Sequence, residues 1–244
     1  MNITSKINKF YKNFHTRAAC LNTLALKLIA IVSMTIDHIG VVMNPDSYYV
    51  MRSIGRIAFP VFCYLMAEGY IHTTSRKNYA LRLLVFAFIS QIPFCLMLYS
   101  KPYVRGVTLN VFFTLFLGLI AIICLDYGIK EYKSHSNDYF AMTLGIAATL
   151  LSIYAGSWLN TDYGAPGVTL IILFYLFRGH PLLTVIGLFA VLVEFASPVE
   201  LYGMLALIPI FLHNGKKGPG LKYFFYAYYP VHMLALYLLK LYIL

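Results

Sequence analysis

Asp37 and His38 stand side by side inside the apolar run Leu24 to Met43, which holds only one other charged residue, Lys27. Ionisable groups at membrane depth are costly, so they normally face the interior of a helix bundle with a partner and mark functional positions. Histidine ionises near neutrality, so His38 is a candidate general base. Neighbouring helical positions point about 100° apart. Asp37 therefore cannot orient His38 on a shared face, and each needs a partner from another helix. Arg52 and Arg56, one turn apart at the start of the next apolar run, are the natural partners for Asp37.

Further along that run, Glu68 and His72 stand at i and i+4 with Arg76 a turn beyond, a same-face column suited to ion pairing or to acid–base work. Arg76, Lys77 and Arg82 form a basic cluster. It serves either as a topology signal or as a holder of the phosphates of a nucleotide-like donor. Asn110 opens the fourth apolar run, where capping is the ordinary role. Asp162 and Tyr163 sit in the turn Asn160 to Gly164, just before Pro166, and fit loop chemistry equally well. His232 follows Tyr228-Tyr229-Pro230; a kink or break is expected there, with His232 lining a cavity or packed against protein.

The elements that must position these groups belong to a membrane protein. Hydrophobic residues make up 60% of the chain, charged residues 11%, and mean hydropathy is +0.73, too apolar for a water-soluble domain. Apolar runs near 24–43, 54–74, 79–98, 110–128, 139–158, 166–178, 182–196, 200–213 and 221–243 predict an all-α, polytopic bundle of about nine transmembrane helices. Residues 1–23 read as a basic N-terminal segment and 24–244 as one transmembrane domain. The first helix reads as a retained signal anchor, since no small-residue cleavage site follows it.

With the N-terminus in the cytoplasm, 14 of the 19 basic residues fall on the cytoplasmic side, as the positive-inside rule requires. The exceptions are Arg52, Arg56, Lys101, Arg105 and Lys240. The net charge of +10 is thus topology. It forms no basic stripe with stacking aromatics, so nucleic acid is not expected as a partner. The four cysteines are widely spaced and fit no zinc pattern, there is no phosphate-binding glycine loop, HExxH helix or GxSxG elbow, and no metal is expected. No internal repeat marks an alternating-access carrier.

An ordered series of blocks adds to this reading. Lys27-Leu28-Ile29-Ala30 through Asp37-His38-Ile39-Gly40 resembles the opening of TraX-type membrane proteins, named for the F-pilin acetylase. Arg52 to Pro60, Glu68 to Thr73, Asn110 to Thr114 and Asp162-Tyr163-Gly164 resemble that family's later blocks, in order. The closing Tyr229-Pro230-Val231-His232 is similar to the last helix of many membrane acyltransferases.

The resemblance implies a bacterial cytoplasmic-membrane enzyme that moves an acetyl group from cytosolic acetyl-CoA to an acceptor amine, a pilin N-terminus in the namesake. On that reading His38 deprotonates the acceptor or is transiently acylated, and Asp37 with Arg56 fixes the site. Arg52 or Asn110 stabilises the oxyanion, and Arg76, Lys77 and Arg82 hold the CoA phosphates. Glu68, His72, Asp162, Tyr163 and His232 give substrate contacts or structural support. An amino sugar, another small molecule or a hydroxyl of an envelope glycan as acceptor, or a non-enzymatic carrier or assembly factor in the lipid bilayer, stays open.

Overall fold

A computed structural model describes residues 19–43, 48–104, 106–134, 139–195 and 197–243. The expected N-terminal charges Lys6, Lys9, Lys12 and Arg17, together with Arg105, lie outside these residues.

The described residues fold as ten α-helices and one 3₁₀-helix. They are α1 (Thr23–Met43), α2 (Tyr48–Gly55), α3 (Ala58–His72), α4 (Arg76–Tyr99), α5 (Val111–Ser134), α6 (Tyr139–Trp158), α7 (Gly164–Leu176), α8 (Pro181–Glu194), the 3₁₀-helix (Pro198–Ala206), α9 (Leu207–Phe211) and α10 (Lys222–Ile243). Each of the nine apolar runs forms helix, but they differ in reach. Five stretches, Thr23–Val42, Tyr48–His72, Arg76–Tyr99, Val111–Ser134 and Tyr139–Trp158, are long and apolar enough to cross a membrane. Gly164–Leu176, Pro181–Glu194 and Pro198–Phe211 are shorter apolar helices. A helix of 13 residues such as α7 rises about 20 Å, less than the roughly 30 Å of a hydrocarbon core.

Two expectations are corrected. The second run does not start near residue 54 as one continuous helix: it begins at Tyr48 and turns at Arg56-Ile57 before continuing as α3. Pro60 has no N–H to offer the carbonyl of Arg56, so the helical ladder lapses there. At the other end, Pro230 does not break α10, which runs from Lys222 to Ile243.

Helices α1, α3 and α5 form the centre with α7. Leu26, Val61, Leu119, Ile122, Leu170 and Ile171 are almost wholly buried among them. Helix α10 closes one side against α1 and α4, and Met233 is fully buried there. Residues 21–23 pair with 212–216 through Leu21 N–H to the Leu212 carbonyl (3.0 Å) and Thr23 N–H to the Lys216 carbonyl (2.8 Å). These bonds bring the start of α1 to the start of α10. At the opposite end Leu109 N–H donates to the Asn160 carbonyl (2.9 Å) and Asp162 N–H to the Leu109 carbonyl (2.7 Å).

Helices α5 and α6 make the tightest contact, backbone against backbone. A Cβ on Gly145 would stand 2.7 Å from the Cys124 carbonyl oxygen, and one on Gly128 would stand 2.9 Å from that of Ala141. Small residues allow this approach where lipid supplies no hydrophobic drive between helices. Gly145→Val should separate the two helices at a cost of about 1–3 kcal/mol. A thermal unfolding midpoint in detergent equal to wild type would contradict this packing.

Candidate active site

Three helices converge on Asp37. Its carboxylate, on α1, accepts from the Arg52 guanidinium of α2 at 2.6 Å and from the Arg56 guanidinium at 2.9 Å. Arg56 lies in the turn between α2 and α3, and its other terminal nitrogen donates to Glu200 of the 3₁₀-helix at 2.7 Å. Asp37 and Arg56 are 6% and 5% exposed, so these charges survive in the interior only because each meets its opposite. Gly55 makes the approach possible, because a Cβ there would collide with the Asp37 carboxylate.

Two cations and two carboxylates sum to zero. A fifth group, Asp162, sits beside them in the turn before α7. Its own desolvation, opposed by Arg56 and reinforced by Asp37, pushes its carboxyl up to about 6. Its neighbour Tyr163 takes a left-handed backbone (φ 65°) and stacks on Phe59 with ring centroids 3.6 Å apart. Thr114 donates its hydroxyl to the Asp162 carbonyl, tying this turn to α5.

His38 points to α10. Its Nδ1 is 2.8 Å from Nε2 of His232, the rings lie nearly parallel, and His232 Nδ1 is 2.9 Å from the Tyr228 carbonyl. Tyr228 also bonds Thr35 on α1 through its hydroxyl at 2.7 Å.

Below the pair opens a cavity of about 420 Å³. On α1 its wall is the stripe Lys27, Ile31 and Met34, and His38 continues that stripe one turn further. On α10 the wall is Lys222, Phe225, Tyr226 and Tyr229, with His232 again the next residue on that face. Phe62, Leu65, Met66, Phe112 and Leu115 supply further apolar wall. The mouth, near the loop 215–221, carries Lys27, Arg82, Lys217 and Lys222. The buried Nε of Arg82 has no hydrogen-bond partner among the described residues. A basic mouth leading into a mainly apolar shaft suits an elongated ligand with an anionic head.

The other sequence candidates divide. Glu68 and His72 both line the cavity and pair at 3.6 Å. The expected column with Arg76 does not form, because α3 ends at His72 and Arg76 starts α4, capped by Ser75. Arg178 takes its place, donating to Glu68 at 2.7 Å. Arg76 turns instead to Asp126 (3.2 Å), and neither it nor Lys77 lines the cavity. Of the expected phosphate-binding trio only Arg82 does so.

Asn110, fully buried, donates its side-chain amide to the Ala87 carbonyl (2.7 Å) and Gln91 (2.8 Å) and caps α5 by accepting from Phe112 N–H (3.1 Å). With both amide directions engaged it is a helix clamp, not a free oxyanion donor. Among the described residues no group of three His, Cys, Asp or Glu side chains could hold a metal ion.

Sequence reading missed several participants. Glu200 interrupts an apolar stretch and was the signal for a second anion near Arg56. Asp126 carries a similar signal in α5 and gathers Tyr70 (2.5 Å), Tyr175 (2.8 Å) and Lys130 (2.7 Å). Lys217, Lys222 and Tyr226 of the cavity, and His213, buried between Thr23 (3.1 Å) and Tyr64 (2.9 Å), have no local signature of their roles.

With this geometry in view, a family described as TraX protein matches residues 22–240. A probable fimbrial assembly protein, FimC, of Dichelobacter nodosus is 30% identical over 237 residues, covering 85% of this chain and 91% of that protein. An uncharacterized protein of Rickettsia prowazekii is 30% identical over 148 residues, 61% of this chain and 52% of its own. No solved structure matches.

Removing the anion at the centre of the charge cluster leaves two guanidiniums facing each other. Asp37→Asn should destabilise the protein by about 3–5 kcal/mol, since it strands buried charge. Glu200→Gln, whose side chain is 15% exposed, should cost less. Equal unfolding midpoints for the two variants would refute this ranking.

Proposed function

The chain belongs to the TraX family of membrane proteins, and from that premise we propose that it is a membrane-embedded acetyltransferase using cytosolic acetyl-CoA. One observation carries the reading: the cavity joins a cationic mouth to an apolar shaft that stops one helical turn short of His38 and His232. From Lys27 to His38 is 11 residues, a rise of about 16 Å along α1, which an extended thioester arm would follow. Lys27, Arg82, Lys217 and Lys222 would hold the phosphates of CoA.

The acceptor is an amine, on a pilin-like peptide or on a sugar. Its nitrogen attacks the thioester carbonyl carbon. The new N–C bond forms, the C–S bond breaks, and the proton lost from nitrogen passes to His38 Nε2 and from there to the departing thiolate. Asp37, held by Arg52 and Arg56, fixes α1 against α2 and so fixes His38 in depth. Arg52 is the cation available to the thioester oxyanion. On this reading the basic mouth and the N-terminus lie on the cytoplasmic side of a bacterial cytoplasmic membrane, in keeping with the excess of basic residues assigned to that side.

A second reading draws on the name of the D. nodosus relative, a fimbrial assembly protein. In that case the buried charges only hold helices together and the chain assists pilus assembly without catalysis.

Acetyl-CoA thiol release by purified protein, given a panel of peptide and sugar amines, separates the two. His38→Ala should lower acceptor-dependent release by about 10²-fold or more. Arg82→Ala should raise KM for acetyl-CoA while leaving kcat within about twofold, as loss of uniform binding does. Absence of both CoA binding and thiol release in the wild type would leave the assembly reading.

A further inference from the structure

We infer that His232 is the positioning residue of His38, holding it in the tautomer whose Nε2 lone pair is available to the acceptor's proton. The inference rests on the acetyltransferase reading for its catalytic consequence, but the pairing itself stands on hydrogen-bond geometry alone.

The assignment starts at Tyr228. A backbone carbonyl can only accept, so Nδ1 of His232, 2.9 Å away, carries a hydrogen. Neutral His232 then has its lone pair on Nε2. That atom faces Nδ1 of His38 at 2.8 Å, so His38 must donate from Nδ1, and its own lone pair falls on Nε2. Thus a single carbonyl on α10 fixes the proton on both rings.

Tyr228 is itself held. Thr35 spends its hydroxyl hydrogen on the Ile31 carbonyl at 2.7 Å, so the bond between Thr35 and Tyr228, also 2.7 Å, is donated by the tyrosine. The Tyr228 ring lies over His232, with centroids 5.1 Å apart and planes 14° apart.

The usual orienting partner for a catalytic histidine is a carboxylate. Here the adjacent carboxylate, Asp37, is engaged by two arginines, and it points away from His38 on the helix. His232 fills that role without adding another carboxylate beside Asp37, Glu200 and Asp162. When His38 takes the acceptor's proton on Nε2, it keeps Nδ1–H directed at His232, which supports the imidazolium until the thiolate receives the proton.

The test reads the tautomer and the chemistry separately. Full-length protein with ¹⁵N-labelled histidine in lipid nanodiscs gives the His38 signals, identified by their loss in His38→Ala. Wild type should show His38 protonated on Nδ1. His232→Ala should lose that preference, with kcat for acetyl transfer at least about tenfold lower and CoA affinity unchanged. His232→Gln, whose amide oxygen can accept from Nδ1–H, should restore the tautomer and most of kcat. Wild-type His38 protonated on Nε2 overturns the inference, even if His232→Ala does not fold. So does His232→Ala with unaltered tautomer and kcat. A loss in His232→Ala that tracks a lowered unfolding midpoint and is not restored by Gln also overturns it, leaving only packing. Wild type with the Nδ1 tautomer but no acetyl transfer would instead sink the acetyltransferase reading while leaving the histidine pairing in place.

Discussion

Two guanidinium groups on one buried carboxylate set the arrangement of this protein. The Asp37 carboxylate is matched among apolar helices by Arg52 and Arg56, and Arg56 is matched by Glu200 as well. Four residues from α1, α2, the α2–α3 turn and the 3₁₀-helix must therefore meet at one depth. The turn at Arg56-Ile57 follows from that demand together with the missing N–H of Pro60. Gly55 is small because the carboxylate lies where its side chain would be. With α1 fixed in depth and rotation, His38 one residue on is fixed too.

The cavity and the histidine pair are consequences of the same two helices. Helices α1 and α10 each present a stripe that begins with lysine at the mouth, continues through apolar or aromatic residues and ends in histidine. The stripes face each other because their starts are joined through the 212–216 segment and their middles through Thr35 and Tyr228. On the acetyltransferase reading, a polar ligand head would be met where the protein is basic. Its reactive end would be met beside the histidine pair, where hydrogen-bond directions are already set.

Much of this is legible in the sequence. The apolar runs gave the helices because hydrophobic length is the strongest local signal a membrane chain carries. Asp37 with Arg52 and Arg56 was legible because isolated charges in apolar runs have few possible partners. What stayed hidden depended on packing between distant segments. The His38–His232 bond joins residues 194 apart in sequence, and nothing near either one announces the other. Arg76 leaves the Glu68–His72 column because helical spacing does not carry across the α3–α4 junction, where Thr73 and Ser75 end one helix and start the next. Asn110 caps α5 as its position predicts, but its clamping of α4 through Ala87 and Gln91, which leaves no free donor for an oxyanion, is a tertiary property.

The neutrality of the Asp37, Arg52, Arg56 and Glu200 cluster also bears on how such a chain diverges. A single charge change at Asp37 or Arg56 leaves an unmatched ion in the interior, and one at the partly exposed Arg52 or Glu200 does so more mildly, so intermediates along a one-step path should be less stable. Removing a cation and an anion together restores balance. The effects of change at these sites are therefore strongly non-additive. Across descendants of one ancestor, these positions should be inherited as pairs, while the lipid-facing residues around them drift independently.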